Sequence, residues 1–157
     1  MRNVIFAVFT ALCLTSILPA GAQEMKSTLW SAFGVSFKVP ADITIEEDSE
    51  EGYILSNEKY YVNVQILDGE SMDKNAMSKE IKLMADDDQL QQQSEVTKFE
   101  LRQFHGVQLQ GTSEGEIYLY NYLMSKDESC GFFITIIYAD KADVLPANII
   151  KSFQLED

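Results

Sequence analysis

Residues 132–138, Phe-Phe-Ile-Thr-Ile-Ile-Tyr, are aromatic or β-branched at every position and follow a glycine, Gly131. A run this short, without polar alternation, reads as a strand covered on both faces. Such a strand belongs in the middle of a sheet. A sheet buried on both sides needs packed layers above and below it, which predicts helices on both faces.

The remaining pattern supplies the neighbours of that strand. Phe33, Val35, Phe37 and Val39 alternate with polar residues until Pro40, and Ile43 and Ile45 continue the alternation. Tyr53 to Leu55 reads as a short strand, and Val62, Val64 and Ile66 as another, so four strands are expected before the first helix. Asp68-Gly69-Glu70-Ser71 announces that helix, with Ser71 as its cap and Met77, Ile81, Met84 and Ala85 on one face. Asp86, Asp87 and Asp88 oppose the helix dipole, so the last turn should fray or the helix stop before Asp88. Its methionines read as core filling rather than as a ligand groove. Strands are then expected over Val96 to Phe104, Val107 to Gln110 and Ile117 to Met124, with a turn at His105-Gly106 and a reversal over Gly111 to Gly115. A second helix runs from Asp143 to about Lys151, its Pro146 tolerated in the first turn, and Phe153 and Leu155 form an apolar tail or one last strand. The fold class is thus α+β: an antiparallel sheet of about seven to eight strands with helices packed on it.

The first 22 residues have a different character from the rest. Arg2 gives a positive start, Val4 to Leu18 is apolar apart from hydroxyls and one cysteine, and Pro19 precedes Ala20-Gly21-Ala22. This is the pattern of a cleavable export signal, with the cut between Ala22 and Gln23. The apolar run is short for a membrane span, and Leu12 is too bulky to precede a lipidated Cys13. Residues 23–157 then form a single domain, periplasmic or extracellular, with no membrane span after cleavage.

Cleavage would take Arg2 and Cys13 with it. Of the 12 basic residues 11 remain against all 25 acidic ones, a formal net charge of −14 on the mature chain. A surface so acidic repels phosphate backbones and anionic lipids, so nucleic acid is not an expected partner. The acids concentrate in residues 46–51 and 86–88, neither of which has the alternating oxygen ligands and central glycine of a calcium loop. They read as solvated charge. Cys130 alone cannot make an intramolecular disulfide; a small buried residue is the plain reading, with an intermolecular bridge or reactive thiol as the alternative.

Three segments carry a family resemblance: Phe-Gly-Val-Ser-Phe-Lys-Val-Pro at 33–40, Phe-His-Gly-Val-Gln-Leu-Gln-Gly at 104–111, and Ile-Ile-Lys-Ser-Phe at 149–153. With the order of elements, they make the chain resemble the PsbP-like group of α/β/α sandwiches. That group takes in photosystem extrinsic proteins, a small-GTPase-binding nuclear factor and periplasmic DcrB-like proteins of bacteria. The resemblance implies partner or ligand binding rather than catalysis, and the leader points to the bacterial envelope branch. These segments mark turns and core positions and carry no chemistry of their own.

Catalytic groups are sparse. His105 is the one histidine and reads as a hairpin corner. There is no Gly-x-Ser-x-Gly elbow, no His-Glu-x-x-His pair and no phosphate-cradling glycine loop in the sequence, and no cofactor or metal is expected. The one pattern suited to recognition is Tyr118, Tyr120 and Tyr122, which project from one face of a strand while Ile117, Leu119 and Leu123 fill the other. Open to solvent, they would form an aromatic platform for a partner; beneath a helix they are core, the reading the covered strand at 132–138 favours. Trp30 and Tyr60-Tyr61 are ambiguous in the same way. Three functions remain: an exported domain binding an envelope protein or small ligand, a small hydrolase working through paired carboxylates, and a purely structural envelope protein. The hydrolase requires a concave pocket holding two acids.

Overall fold

The computed structural model describes residues 23–67 and 73–157. The leader with Ala22, and the Asp68–Ser71 start signal, lie outside the described residues. Ten strands and two helices follow in the order β1 (Met25–Trp30), β2 (Val35–Pro40), β3 (Thr44–Asp48), β4 (Tyr53–Ser56), β5 (Tyr61–Leu67), α1 (Met77–Asp87), β6 (Thr97–Glu100), β7 (Phe104–Ser113), β8 (Glu116–Ser125), β9 (Gly131–Tyr138), α2 (Leu145–Lys151) and β10 (Gln154–Leu155). They form a seven-stranded sheet ordered β3-β4-β5-β9-β8-β7-β6 and a three-stranded sheet ordered β1-β2-β10, with every pairing antiparallel. The result is an α+β sandwich.

The apolar run at 132–138 is central as expected, between β5 and β8. Its burial is less symmetrical than its composition. Phe132, Ile134, Ile136 and Tyr138 are buried, whereas Phe133, Thr135 and Ile137 on the opposite face are half-buried. The buried face meets β1, β2 and α2 in one cluster that includes Trp30, Phe37, Ile149, Ile150 and Phe153. There the second layer is mostly a small sheet, with one short helix beside it. On the other face α1 packs Met77, Ile81 and Ala85 over Val107, Leu109, Tyr120, Tyr122 and Met124 of β7 and β8. This leaves β4, β5 and β9 largely without a helix above them.

β1 was not among the four strands expected before the helix. Lys26, Thr28 and Trp30 share one face of it, Thr28 and Trp30 buried and Lys26 exposed, and each brings a polar atom to the large sheet or the residues flanking it. Lys26 Nζ donates to Ile43 O at 2.9 Å, Thr28 Oγ1 lies 2.5 Å from Tyr53 Oη, and Trp30 Nε1 donates to Ser49 O at 2.7 Å. Trp30 is fully buried and its ring stacks on Tyr53 at 6.1 Å, so it belongs to the core.

His105 and Gly106 do not form a turn. They lie inside β7, paired with Met124 and Leu123 of β8 and with Glu100 and Phe99 of β6. The reversal falls at residues 101–103, where Leu101 N donates to Phe104 O at 2.9 Å. Glycine is needed at 106 because the Phe99 ring lies against it, where any Cβ would collide. Likewise Gly111 is within β7, and the next turn is only Glu114-Gly115, both at positive φ (51° and 82°) between Ser113 and Glu116.

α1 begins with Ala76 in the N-cap position and no side-chain cap, beyond the Ser71 expected to cap it, and ends at Asp87 as its terminal charges require. α2 begins at Leu145, but Asp143 still serves its start, accepting from Leu145 N at 2.9 Å, and Pro146 lies in the first turn. Among the described residues no helix is long and apolar enough to cross a membrane.

Candidate binding site

Alternation along β8 does put Tyr118, Tyr120 and Tyr122 on one face, and that face lies beneath and beside α1. Tyr120 and Tyr122 are only 4% and 3% exposed, so they form no open platform. Both rings meet Phe133 of β9 edge-on at 5.2 Å, and the Tyr120 hydroxyl donates to Asp88 Oδ2 at 2.5 Å beyond the helix end. Burial raises the pKa of Tyr120 above its ordinary value, and the Asp88 carboxylate raises it further by disfavouring a second negative charge. Tyr118 is half-buried, its pKa raised by burial and then by Glu116 and Glu114. It alone of the three retains substantial access to solvent. With its cross-strand neighbour Ile137, and with Tyr61, Asn63 and Thr135, it borders the part of the sheet that α1 leaves uncovered.

His105 is spoken for at the sheet margin. Its Nδ1 donates to Glu100 at 2.8 Å, and Lys126 Nζ stands 3.7 Å from the same carboxylate. The imidazole bond, then the nearby positive charge, holds Glu100 below the ordinary carboxylate pKa.

The larger concave surfaces lie on the far side, around α2 and β10; a smaller one of about 260 Å³ lies on the α1 face, bordered by Met84, Tyr122 and Phe133. One groove of about 540 Å³ runs between the outer face of the small sheet, the β6–β7 turn and the C-terminal segment. Three cations line it, Lys38 of β2, Arg102 of the turn and Lys151 at the end of α2, with two exposed acids, Glu156 and Asp157, and the hydroxyls of Ser27, Ser36 and Ser152, so its charge is mixed. All three cations are exposed, and none forms an ion pair among the described residues. The groove is held together by polar cross-links. Gln103 binds both backbone groups of Leu155, accepting from its N at 2.9 Å and donating to its O at 3.4 Å. Ser152 Oγ accepts from Lys38 N at 2.8 Å, and Ser36 Oγ donates to Glu156. Underneath, Phe37 stacks on Phe153 at 4.3 Å, so the groove floor is continuous with the core.

A second groove of about 610 Å³ shares Lys38 and Ser152 and extends along α2 past Tyr60, Asp140 and Asp143 to Gln23. It contains two carboxylates, the arrangement a hydrolase would need, but both hold the chain in place. Asp143 accepts from Tyr60 Oη and from Leu145 N, and Asp140 Oδ1 accepts from Ala142 N at 2.9 Å. Burial, with Asp143 next in effect, pushes the Tyr60 hydroxyl above its usual pKa, so that it stays a donor. Among the described residues no three His, Cys, Asp or Glu side chains are grouped to hold a metal ion. Cys130 is half-buried with a free thiol.

A family described as dihydro-orotase-like matches residues 3–142. The chain belongs to that family. No curated protein matches it. Among solved structures it is similar to the Ran-binding protein Mog1p of Saccharomyces cerevisiae, with a TM-score of 0.60 and 8% identity over 87% of this chain and 97% of that one. A mutant form of Mog1 gives a TM-score of 0.59, again at 8% identity, over 85% and 97% of the two chains. A crystal structure from Bacteroides thetaiotaomicron matches with a TM-score of 0.55 and 15% identity, covering 84% of this chain. The chain spans about half the length of that structure, 48% of it. At these identities the likeness is one of fold: an α+β sandwich similar to that of Mog1.

The three cations of the first groove come from positions 38, 102 and 151, far apart in sequence, and sequence reasoning did not find them. The nearest signal was the Ile-Ile-Lys-Ser-Phe segment, read there only as a turn and core mark.

Proposed function

We propose that the protein is an exported PsbP-like domain that works by binding another protein in the cell envelope. The observation that carries this reading is the fold it shares, over nearly the whole length of both chains, with a protein named as Ran-binding. Function lives in the site rather than in the fold, so the local chemistry has to be compatible with this reading. It is: the two grooves carry charged, hydroxyl and amide side chains that can position a partner, and the carboxylates of the second groove are engaged in turns and caps. The family is named for a dihydro-orotase, and His105, the histidine available as a general base, lines neither groove. His105 is paired with Glu100, and Asp143 with Tyr60. Export rests on the leader sequence, with its positive start, apolar run and Ala20-Gly21-Ala22.

The test is in vivo photo-crosslinking of the full chain, with the reactive residue placed in turn at exposed positions over the surface, followed by fractionation and N-terminal sequencing. The expected result is an envelope protein beginning at Gln23 that gives a discrete crosslinked product from one contiguous patch. A chain that keeps residues 1–22 and stays in the cytoplasm removes export. Absence of a discrete product from every position removes partner binding.

A further inference from the structure

Beside α1 the large sheet is open, and its charge there has one sign. Register puts Ser56, Tyr61, Ile137 and Tyr118 in one row across β4, β5, β9 and β8, and Ile54, Asn63 and Thr135 in the next, all half-buried. The five strands β3, β4, β5, β9 and β8, neighbours in that order, contain no Lys, Arg or His. Acids stand at both margins. At β3 the Glu46 carboxylate accepts from Ser56 Oγ at 2.7 Å, and a register shift sets Glu47 opposite Ile54. At β8, Glu116 lies two residues from Tyr118 on the same face, and it, Glu114 and Asp88 add to burial in raising the Tyr118 pKa. None of these five acids forms an ion pair among the described residues. Of the cations on flanking segments, Lys59 lines the second groove, Lys74 acts on Glu100 at the β6 margin and Lys82 is paired with Asp86, which leaves exposed Lys79 and Lys141 against the five acids. The hollow of about 260 Å³ at the edge of this face has Glu51 in its lining and no cation.

We infer that this open face is the docking site for a basic amphipathic helix of the protein partner, an inference that rests on the partner-binding reading above. Half-buried aromatic and branched side chains give the floor, and the acids give the sign of the occupant. Lys and Arg lay their stems along apolar surface while their heads reach outward. A helix seated on Tyr61 and Ile137 therefore sets its charges against Glu46 and Glu47 on one margin and Glu116 on the other, and its cations meet the rings of Tyr61 and Tyr118. Four strand spacings of about 4.8 Å make the distance from β3 to β8 about 19 Å, wide enough for a helix about 10–12 Å across. Such a helix would extend across β4, β5 and β9 the layer that α1 forms over β7 and β8. A second copy presenting this same face would bring like charges together, and an anionic membrane is repelled for the same reason.

The test is fluorescence anisotropy of the protein, purified from cells expressing the full chain, with a labelled helical peptide that carries Leu on one face and Lys on the other, against a counterpart with Glu in place of Lys. Two variants carry the same change in net charge: Glu46→Gln, Glu47→Gln, Glu116→Gln on the face, and a control with Glu24→Gln, Glu95→Gln, Glu128→Gln at exposed sites before β1, before β6 and between β8 and β9. A third, Tyr61→Ser, removes a ring from the floor at unchanged charge. The Leu/Lys peptide should bind the native protein and the control equally and the other two variants about tenfold more weakly, with affinity falling as salt rises. Thermal unfolding checks that each variant is folded, and Gln at 46 and 47 keeps an acceptor for the neighbouring serines. The inference is overturned if the Leu/Lys peptide does not bind, if the face and control variants lose equally, if Tyr61→Ser binds as the native protein does, or if the Glu counterpart binds as tightly. An envelope partner whose crosslinks are confined to other surfaces would also overturn it, while leaving partner binding itself in place.

Discussion

Consecutive residues of β9 see two different proteins. Phe132 points into the face shared with the small sheet and α2, where it is fully buried and lies edge-on to Phe104 at 6.1 Å and near Trp30 at 6.3 Å. Phe133 points to the α1 face, half-buried between Tyr120 and Tyr122. The first face is closed by a second sheet that follows its whole middle. The second is closed by a helix of 11 residues over β7 and β8, and β4 and β5 carry half-exposed or exposed residues there, Ile54, Tyr61, Asn63 and Gln65. Composition alone makes the two faces of this strand look equal. What differs is the partner layer, so stability should be concentrated on one side.

Truncating each ring measures that asymmetry directly. Phe132→Ala should cost about 3–5 kcal/mol, the range for emptying a packed aromatic site, and Phe133→Ala about 1–2 kcal/mol, because its ring is already part-solvated and its neighbours can settle around the gap. Urea unfolding of both variants reads the difference. Equal losses would mean that α1 closes its face as tightly as the small sheet closes the other.

Gly106 sharpens the comparison at the sheet margin, where the large sheet extends beyond its main layers. Gly106→Ala puts a methyl into the Phe99 ring and should cost about 1–3 kcal/mol, as overpacking does, although the backbone there is ordinary strand. The companion variant Phe99→Ala should make Gly106→Ala nearly neutral in a double-mutant cycle. If the cost persists without the ring, glycine is required for the backbone and the strand pairing described for β6 and β7 is wrong.

That same position shows how far the sequence can be read. Alternating and all-apolar runs identified β2, β5, β8 and β9, because a strand's period is a local property. His105-Gly106 has the local form of a turn, but the reason for its glycine is an aromatic ring from another strand, a fact with no local signature. β1 escaped for a related reason: Lys26 and Thr28, on the face that holds Trp30, are polar, and their partners Ile43 O and Tyr53 Oη lie far along the chain. The tyrosine stripe was legible as a face, while the layer above it was not, since that depends on where α1 lands. The groove beside β10 was the least legible of all. It exists because β10 returns to β2 and Gln103 ties the β6–β7 turn to Leu155, so that three unrelated sequence positions share one concavity.

The smallest expected effect tests whether the α1 face is held by more than apolar contact. Tyr120→Phe keeps the ring against Phe133 and removes only the hydrogen bond to Asp88, an exposed acid, so the loss at neutral pH should be about 1 kcal/mol. The pH dependence carries the sharper information. In the folded chain the Tyr120 pKa is raised above its ordinary 10.0, by burial first and Asp88 second, so folding favours the protonated phenol. Its contribution is therefore complete below about pH 10 and is lost as pH rises from there through the raised folded value, because the unfolded chain ionises first. The native protein should lose stability faster than Tyr120→Phe above about pH 10, and the gap between them should close and then reverse. Denaturation midpoints followed from about pH 8 to about pH 11.5 show this directly. A gap that stays constant across that range would mean that the hydroxyl is not desolvated, and that the α1 face is open enough for water to reach the tyrosines beneath it.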